Sequence, residues 1–189
     1  LSFYTISGDY RKYFRLGDAY SFVFRLSGGF SAGANPQRFF IGGTDNWINR
    51  KFSTGEIPLE SAGDFAFLSA AVPLRGYNYA EQIGSKYALM NLELRFPLIR
   101  YLVTGGLPLL FRDIMGVMFV DMGSAWNNTK QLRFFAKNEF NSTASKDLLT
   151  GMGMGARVFF LYFLLRFDVA WAYDFNSFSE PRFYISLGA

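Results

Sequence analysis

Apolar and polar residues alternate with a period of two along most of the chain. From Leu164 to Tyr173 the even positions are Leu164, Arg166, Asp168, Ala170 and Ala172, and the odd ones are Leu165, Phe167, Val169, Trp171 and Tyr173. A β-strand sends successive side chains to opposite faces, so this segment presents one charged, small face and one wholly apolar face. The split recurs at Ser21–Phe30, where Phe22, Phe24, Leu26 and Phe30 oppose Ser21, Arg25 and Ser27. At Lys86–Phe96, Ala88, Met90, Leu92, Leu94 and Phe96 oppose Asn91, Glu93 and Arg95, and near the start Tyr4, Ile6, Tyr10 and Phe14 oppose Thr5, Ser7, Asp9 and Arg11. Alternation and intervening breakers predict strands at 3–14, 19–32, 86–97, 115–126, 149–159, 163–173 and 181–189, with a weaker candidate at 64–72. Three connections are long, 33–85, 98–114 and 127–148, and two are short, around 160–162 and 174–180. No internal repeat or interdomain linker is visible.

Two arrangements accommodate such strands. In a soluble sandwich the apolar faces of two sheets meet, and strands average about 5–6 residues. In a membrane barrel the apolar face meets lipid and the polar face lines the lumen, and strands need about 9–11 residues. The alternating segments are of the longer kind. Aromatic residues are in excess, with 23 Phe, 11 Tyr and 3 Trp, as the girdles of a barrel require. Pairs of opposite charge on one face, such as Arg166 with Asp168, suit a lumen. The expected fold is therefore all-β, a transmembrane antiparallel β-barrel in the bacterial outer membrane, in contact with outer-membrane lipid.

Seven strands do not close an even-numbered barrel, so residues 1–189 read as one wall of a larger one, with a long lumen or extracellular loop at about 33–85. An independent eighth strand at 64–72 would instead permit a small closed barrel. With the last strand running toward the periplasm, 33–85, 127–148 and 174–180 fall outside and 98–114 becomes an unusually long periplasmic turn. The longest apolar run, Val158–Leu165, is closed by Arg166 and is far short of the roughly 20 residues of a spanning helix. Leu1–Arg11 carries no visible secretion signal and the chain begins without Met, which reads as a mature or excised piece of something longer.

Composition narrows the chemistry. The chain has no Cys and no His, which removes the commonest nucleophile–base pairs and the usual zinc ligands. No cofactor and no metal are expected. Asp9, Glu93, Asp121 and Asp168 could line a lumen as in an outer-membrane hydrolase, but no Ser/His pair exists to form a serine lipase site. Gly151-x-Gly153-x-Gly155 lacks the spacing and the following helix of a dinucleotide fingerprint. A net charge of +4, dispersed without a basic run, argues against nucleic acid as a partner.

The longest connection holds Arg38-Phe39-Phe40-Ile41-Gly42-Gly43 and then Leu74-Arg75-Gly76-Tyr77. Downstream come Asn91-Leu92-Glu93-Leu94-Arg95-Phe96-Pro97, Phe119-Val120-Asp121-Met122-Gly123, Gly151-Met152-Gly153-Met154-Gly155-Ala156-Arg157 and Arg166-Phe167-Asp168-Val169-Ala170-Trp171. In this order they resemble the C-terminal barrel region of the BamA/TamA superfamily, also called the bacterial surface antigen family. The resemblance spans nearly the whole chain and implies about the last seven strands of a sixteen-stranded barrel. It also implies that Arg75, Gly76 and Tyr77 form the tip of a loop folded back into the lumen, and that Phe119, Asp121 and Gly123 are the inner-wall motif.

Strand parity bears on the same residues. Val117, Phe119, Asp121, Gly123 and Ala125 share a face, so Asp121 points to the polar interior, where an entering Arg75 could pair with it. Gly151, Gly153 and Gly155 share a face with Arg157, and a glycine in a strand often marks close approach of another backbone, so this stripe is expected to make room for the loop. In the bland alternative Arg75 is a solvated loop charge, Asp121 an ordinary lumen residue and the glycines barrel kinks. Glu93, Arg95, Arg157, Arg166 and Asp168 are further lumen charges. One departure stands out: the two loop motifs lie close together in the family, whereas residues 44–74 intervene here. That insertion carries Asn46, Trp47, Asn49 and an acidic patch at Glu56, Glu60 and Asp64, and could plug the lumen, cover the outer mouth or bind an accessory protein. Residues 183–189 look like a barrel-assembly signal strand cut just before its terminal aromatic.

Two functional classes follow. The resemblance implies a non-enzymatic barrel that assembles outer-membrane proteins or translocates polypeptide, with unfolded outer-membrane or secreted polypeptides and accessory outer-membrane proteins as partners. The other class is a passive pore or structural barrel with a partner-binding external loop.

Overall fold

A computed structural model describes residues 2–52, 68–71, 73–103, 110–128, 132–137, 143–160 and 162–188. Twelve strands are present among the described residues: β1 (Phe3–Leu16), β2 (Tyr20–Gly33), β3 (Arg38–Ile41), β4 (Leu68–Ala71), β5 (Gln82–Gly84), β6 (Lys86–Val103), β7 (Leu110–Trp126), β8 (Phe135–Lys137), β9 (Thr143–Ser145), β10 (Leu149–Phe160), β11 (Phe163–Ala172) and β12 (Arg182–Gly188). Seven of them form one sheet in the order β1-β2-β6-β7-β10-β11-β12, and every neighbouring pair is antiparallel. Among the described residues β1 and β12 do not pair with each other, so this stretch of wall is open. The fold is all-β, as the alternation predicts.

Two expectations need correction. The segment 98–114 is not a long turn, because β6 continues to Val103 and β7 starts at Leu110. Pro97 reads as a strand end since it has no N–H to donate, but the ladder shifts register between Pro97 and Ile99 and resumes at Ile99 opposite Ile114. The irregularity absorbs the missing donor and the hairpin runs on. Likewise, the strand candidate at 64–72 is not an eighth wall strand. Its described part, β4, lies parallel to β3 in a separate sheet of order β4-β3-β5, inside the excursion between β2 and β6.

The two faces of the wall differ in an unusual direction. Leu26, Met118, Met154, Phe167, Phe183 and Ile185 are exposed, while Asn91, Asp121, Asp168, Ser27 and Ser186 are buried. A soluble domain does the reverse. Parity accounts for the inversion: Met118 and Phe119 are neighbours on β7, yet one is exposed and the other is buried under residues of the β2–β6 excursion. That excursion covers the polar face of β6, β7, β10, β11 and β12.

Candidate functional site

The loop reaches the wall through a turn at Arg75-Gly76-Tyr77. Gly76 holds a φ of 100°, a left-handed conformation open to glycine and strained for other residues. An added Cβ there would also stand 2.8 Å from the Trp171 carbonyl oxygen. Upstream, the Gly43 N–H donates to the Leu74 carbonyl (3.0 Å) and the Leu74 N–H to the Gly43 carbonyl (2.9 Å). Residues 43 and 74 are thus hydrogen-bonded to one another. The intervening insertion leaves and rejoins the loop at one point, so it does not displace the tip.

Arg75 is 2% exposed and Asp121 fully buried. Arg75 Nε donates to Asp121 Oδ2 at 2.7 Å and Nη2 to Oδ1 at 2.9 Å, a bidentate pair, while the Arg75 backbone N–H donates to Oδ2 at 3.0 Å. Asn91 Nδ2 donates to the same Oδ1 at 2.8 Å. The guanidinium lies 3.4 Å from the Phe119 ring centroid, within cation–π range. Two further carboxylates approach it: Glu93 Oε1 at 3.0 Å and Asp168 Oδ2 at 3.9 Å. Each of these has a second arginine, Arg95 on Glu93 at 2.8 Å and Arg157 on Asp168 at 2.6 Å. Three arginines therefore meet three carboxylates and the cluster is neutral. Burial alone would lower the Arg75 pKa, but the surrounding carboxylates, Asp121 foremost, outweigh it and raise the pKa, so the side chain stays a guanidinium.

The pairing of Arg166 with Asp168 expected from shared parity does not form. Arg157 holds Asp168 instead, because β10 and β11 align Gly155 opposite Asp168 and so bring the next lumen-side residue, Arg157, across to it. The glycine stripe also does more than make room for the loop. A Cβ at Gly151 would overlap the Arg75 carbonyl oxygen, which is the expected clearance. At Gly153 it would strike the neighbouring strand and the Phe119 ring, and at Gly155 the Asp168 carboxylate. Those two glycines clear space for the groups that surround Arg75. A Cβ at Gly123 would crowd both the neighbouring strand and the loop, at 2.9 Å from Leu89 Cδ1 and 3.1 Å from Leu74 Cδ1.

Residues that strand parity alone leaves unassigned complete the clamp. Tyr184 on β12 accepts from the Gly76 N–H (2.8 Å) and donates to the Tyr77 carbonyl (2.8 Å). Arg182 Nη1 donates to the Gly76 carbonyl. The Tyr77 hydroxyl accepts from the Thr150 N–H and donates to the Thr150 carbonyl, and burial pushes its pKa up, which keeps the donating proton in place. Trp47 of the insertion is buried with Tyr184, Val117, Phe119 and Ala170, its ring 4.6 Å from that of Tyr184. Polar-face parity on β12 and β6 marks Arg182, Tyr184 and Asn91 as interior residues, but nothing in the local sequence ties them to the loop, which for Arg182 and Tyr184 lies more than a hundred residues away. The acidic patch at Glu56, Glu60 and Asp64 lies outside the described residues. No group of three or more Asp or Glu among the described residues is arranged to hold a metal ion.

An antiparallel wall with an apolar outer face, clamping a returning loop through one buried arginine, has the layout of one side of a membrane β-barrel. Residues 1–189 match the Omp85 superfamily domain, and the chain belongs to that superfamily, as the BamA/TamA resemblance implies. Its members are bacterial outer-membrane proteins associated with protein assembly or translocation. No curated protein matches the chain.

Proposed function

We propose that residues 1–189 form the C-terminal portion of an outer-membrane barrel that assembles outer-membrane proteins or translocates polypeptide without enzymatic chemistry. In this reading Arg75, Gly76 and Tyr77 are a loop tip docked on the inner wall. Phe119, Asp121 and Gly123 receive it, and the Gly151, Gly153 and Gly155 stripe together with Glu93, Arg95, Arg157 and Asp168 completes the seat. Arg166 lines the lumen nearby. The observation that carries the proposal is the burial of the Arg75–Asp121 pair between a loop and a barrel wall, with Asp168 buried beside it and Glu93, Arg95 and Arg157 around it. A buried ion pair is a poor source of stability, and its best-attested use is to hold one register or switch position, which supports a loop docked for a task over a plain wall. The partners are outer-membrane lipid, an unfolded outer-membrane or secreted polypeptide, and accessory outer-membrane proteins.

The test is reconstitution of the full chain in vesicles with an unfolded client barrel. Acceleration of client folding that drops at least tenfold in Arg75→Ala and in Asp121→Ala supports the proposal. Steady ion conductance with no acceleration by the wild type would instead identify a passive pore.

A further inference from the structure

The apolar outer face of the wall continues past the ends of its strands. On β11 the outward positions are Phe167, Val169 and Trp171, opposite in parity to the buried Asp168 and Ala170, and Tyr173 follows them just beyond the strand. The Tyr173 ring stacks on that of Phe178, with centroids 4.6 Å apart, and meets Phe175 at 5.4 Å. Phe175 in turn takes the ring of Phe135, on β8, edge-on at 5.2 Å. Phe178 also reaches back to the wall, where it lines one outer groove with Trp171, Met152 and Leu92. A line of rings therefore runs from the wall across the segment between β11 and β12 to the antiparallel β8–β9 pair. Phe134, Phe135, Phe175 and Phe178 are all between 37% and 58% exposed.

Two features show that these rings are held out by construction. Phe175 has a φ of 70°, a left-handed conformation that glycine or asparagine adopts far more readily than an aromatic residue, although an asparagine stands at the next position. The turn is fixed by Asp174, whose Oδ1 accepts from the N–H groups of Asn176 at 2.9 Å and Ser177 at 2.6 Å. Backbone held in this way persists where its surroundings enforce it, and such outliers cluster at functional positions. The β8–β9 pair is tied to the same turn, since the Ser145 N–H donates to the Asp174 carbonyl at 2.8 Å. We infer that the β8–β9 pair and the turn at 174–178 form a lipid-binding surface that lies in the headgroup–acyl boundary of the outer leaflet, beside the barrel. Lipid is the occupant because the rings continue, without a break, the face that the wall turns to lipid. A protein covering Phe178 and Trp171 would have to enter the hydrocarbon to reach them. The aromatic girdle of a barrel stands on its strands, whereas Phe135 and Phe175 stand beyond them and extend the lipid contact to a surface loop. The inference rests on the lipid-facing wall and not on the assembly role proposed above.

The chain has no cysteine, so single nitroxide labels can be placed in the full chain, reconstituted in vesicles of phosphatidylethanolamine and phosphatidylglycerol. Collision rates with oxygen and with a nickel chelate give the depth of each label. Two variants set the scale: Met154→Cys, on the outward face of the wall, should read deep hydrocarbon, and Asn35→Cys, exposed between β2 and β3, should read water. Phe134→Cys and Phe178→Cys should both lie about 5–10 Å below the phosphates, the depth of an interfacial apolar face. Adding Phe135→Ser and Phe175→Asn removes two rings and keeps the left-handed turn accessible. The label at 134 should then rise into water, while the label at 178, held at the wall, stays at its depth. A label at 134 that reads water with both rings present would overturn the inference. So would one shielded from both probes, as beneath a protein surface, or one whose depth does not change when the two rings are removed.

Discussion

Two aspartate–arginine clusters lie on the same polar face of the wall and behave as different materials. On the β1–β2 hairpin, Asp9 sits between Arg11 at 2.9 Å and Arg25 at 2.7 Å, with the aspartate side chain 33% exposed and that of Arg11 53% exposed. On β7, Asp121 meets Arg75 at 2.7 Å with neither accessible to any useful extent. Alternation, residue types and distances are nearly the same, and only the covering loop differs. Charges in contact with water gain little from pairing, whereas in a dry site they become mutually dependent. The barrel wall supplies the carboxylates, and the loop decides which of them matters.

Removing one member of the dry cluster should therefore have the largest effect. Asp121→Ala leaves a buried guanidinium with its Glu93 contact at 3.0 Å and Asp168 at 3.9 Å but without its bidentate partner, and should cost about 3–5 kcal/mol. Guanidinium chloride unfolding of the reconstituted full chain measures this. Arg75→Ala leaves Asp121 uncompensated and should cost a comparable amount. Because both variants remove one interaction, the double variant should be no worse than either single one. Strict additivity would mean that the two residues act independently and would end the pairing argument.

Next comes the clearance beneath the loop. Gly151→Ala puts a methyl group where the Arg75 carbonyl oxygen now lies, between two backbones with no flexible side chain to yield. The expected cost is about 1–3 kcal/mol, with faster amide exchange at Arg75 and Gly76 while the β10–β11 ladder stays protected. Gly155→Ala tests the refined reading of the stripe. It should disturb Asp168 and Arg157 while the loop backbone stays docked, so similar loop release in both variants would restore the simpler view of one shared groove. Tyr184→Phe removes the acceptor for Gly76 and the donor for Tyr77, two buried backbone groups, at about 1–3 kcal/mol. Exchange at Gly76 reads the loss of its acceptor directly.

Most of the wall was legible in the sequence because a period of two is a local property. Each predicted wall strand overlaps its observed counterpart, and the main error, at Pro97, arose where a local rule about proline met a hairpin long enough to bypass it. The inner face was legible for the same reason: parity alone sends Asn91, Glu93, Asp121 and Asp168 to one side. Pairing was not. Arg157 and Arg166 both qualify by parity as partners for Asp168, and only the β10–β11 register chooses between them. Tyr184 and Arg182 reach the loop because β12 passes beneath it, a relation between segments separated by more than a hundred residues. Glycines gave a signal whose location was informative and whose cause was mixed, since the stripe makes room for the loop backbone at Gly151, for the neighbouring strand and the Phe119 ring at Gly153, and for the Asp168 carboxylate at Gly155.

The smallest effect should come from the wet cluster. Asp9→Ala removes the carboxylate shared by Arg11 and Arg25, yet Arg11 can turn to water, and Arg25, its side chain 16% exposed, also reaches Asn91 Oδ1 at 3.4 Å. Exposed pairs are worth about 0–1 kcal/mol and are weakened further by salt. The variant should unfold within that margin of wild type, and raising the salt should narrow the gap, while the Asp121→Ala deficit stays nearly unchanged because ions do not enter the buried cluster. If Asp9→Ala instead costs as much as Asp121→Ala, the Asp9 cluster is as dry as the other in the assembled protein. The contrast would then belong to this stretch of wall alone, and a covering element would have to lie over β1 and β2 as the loop lies over β7.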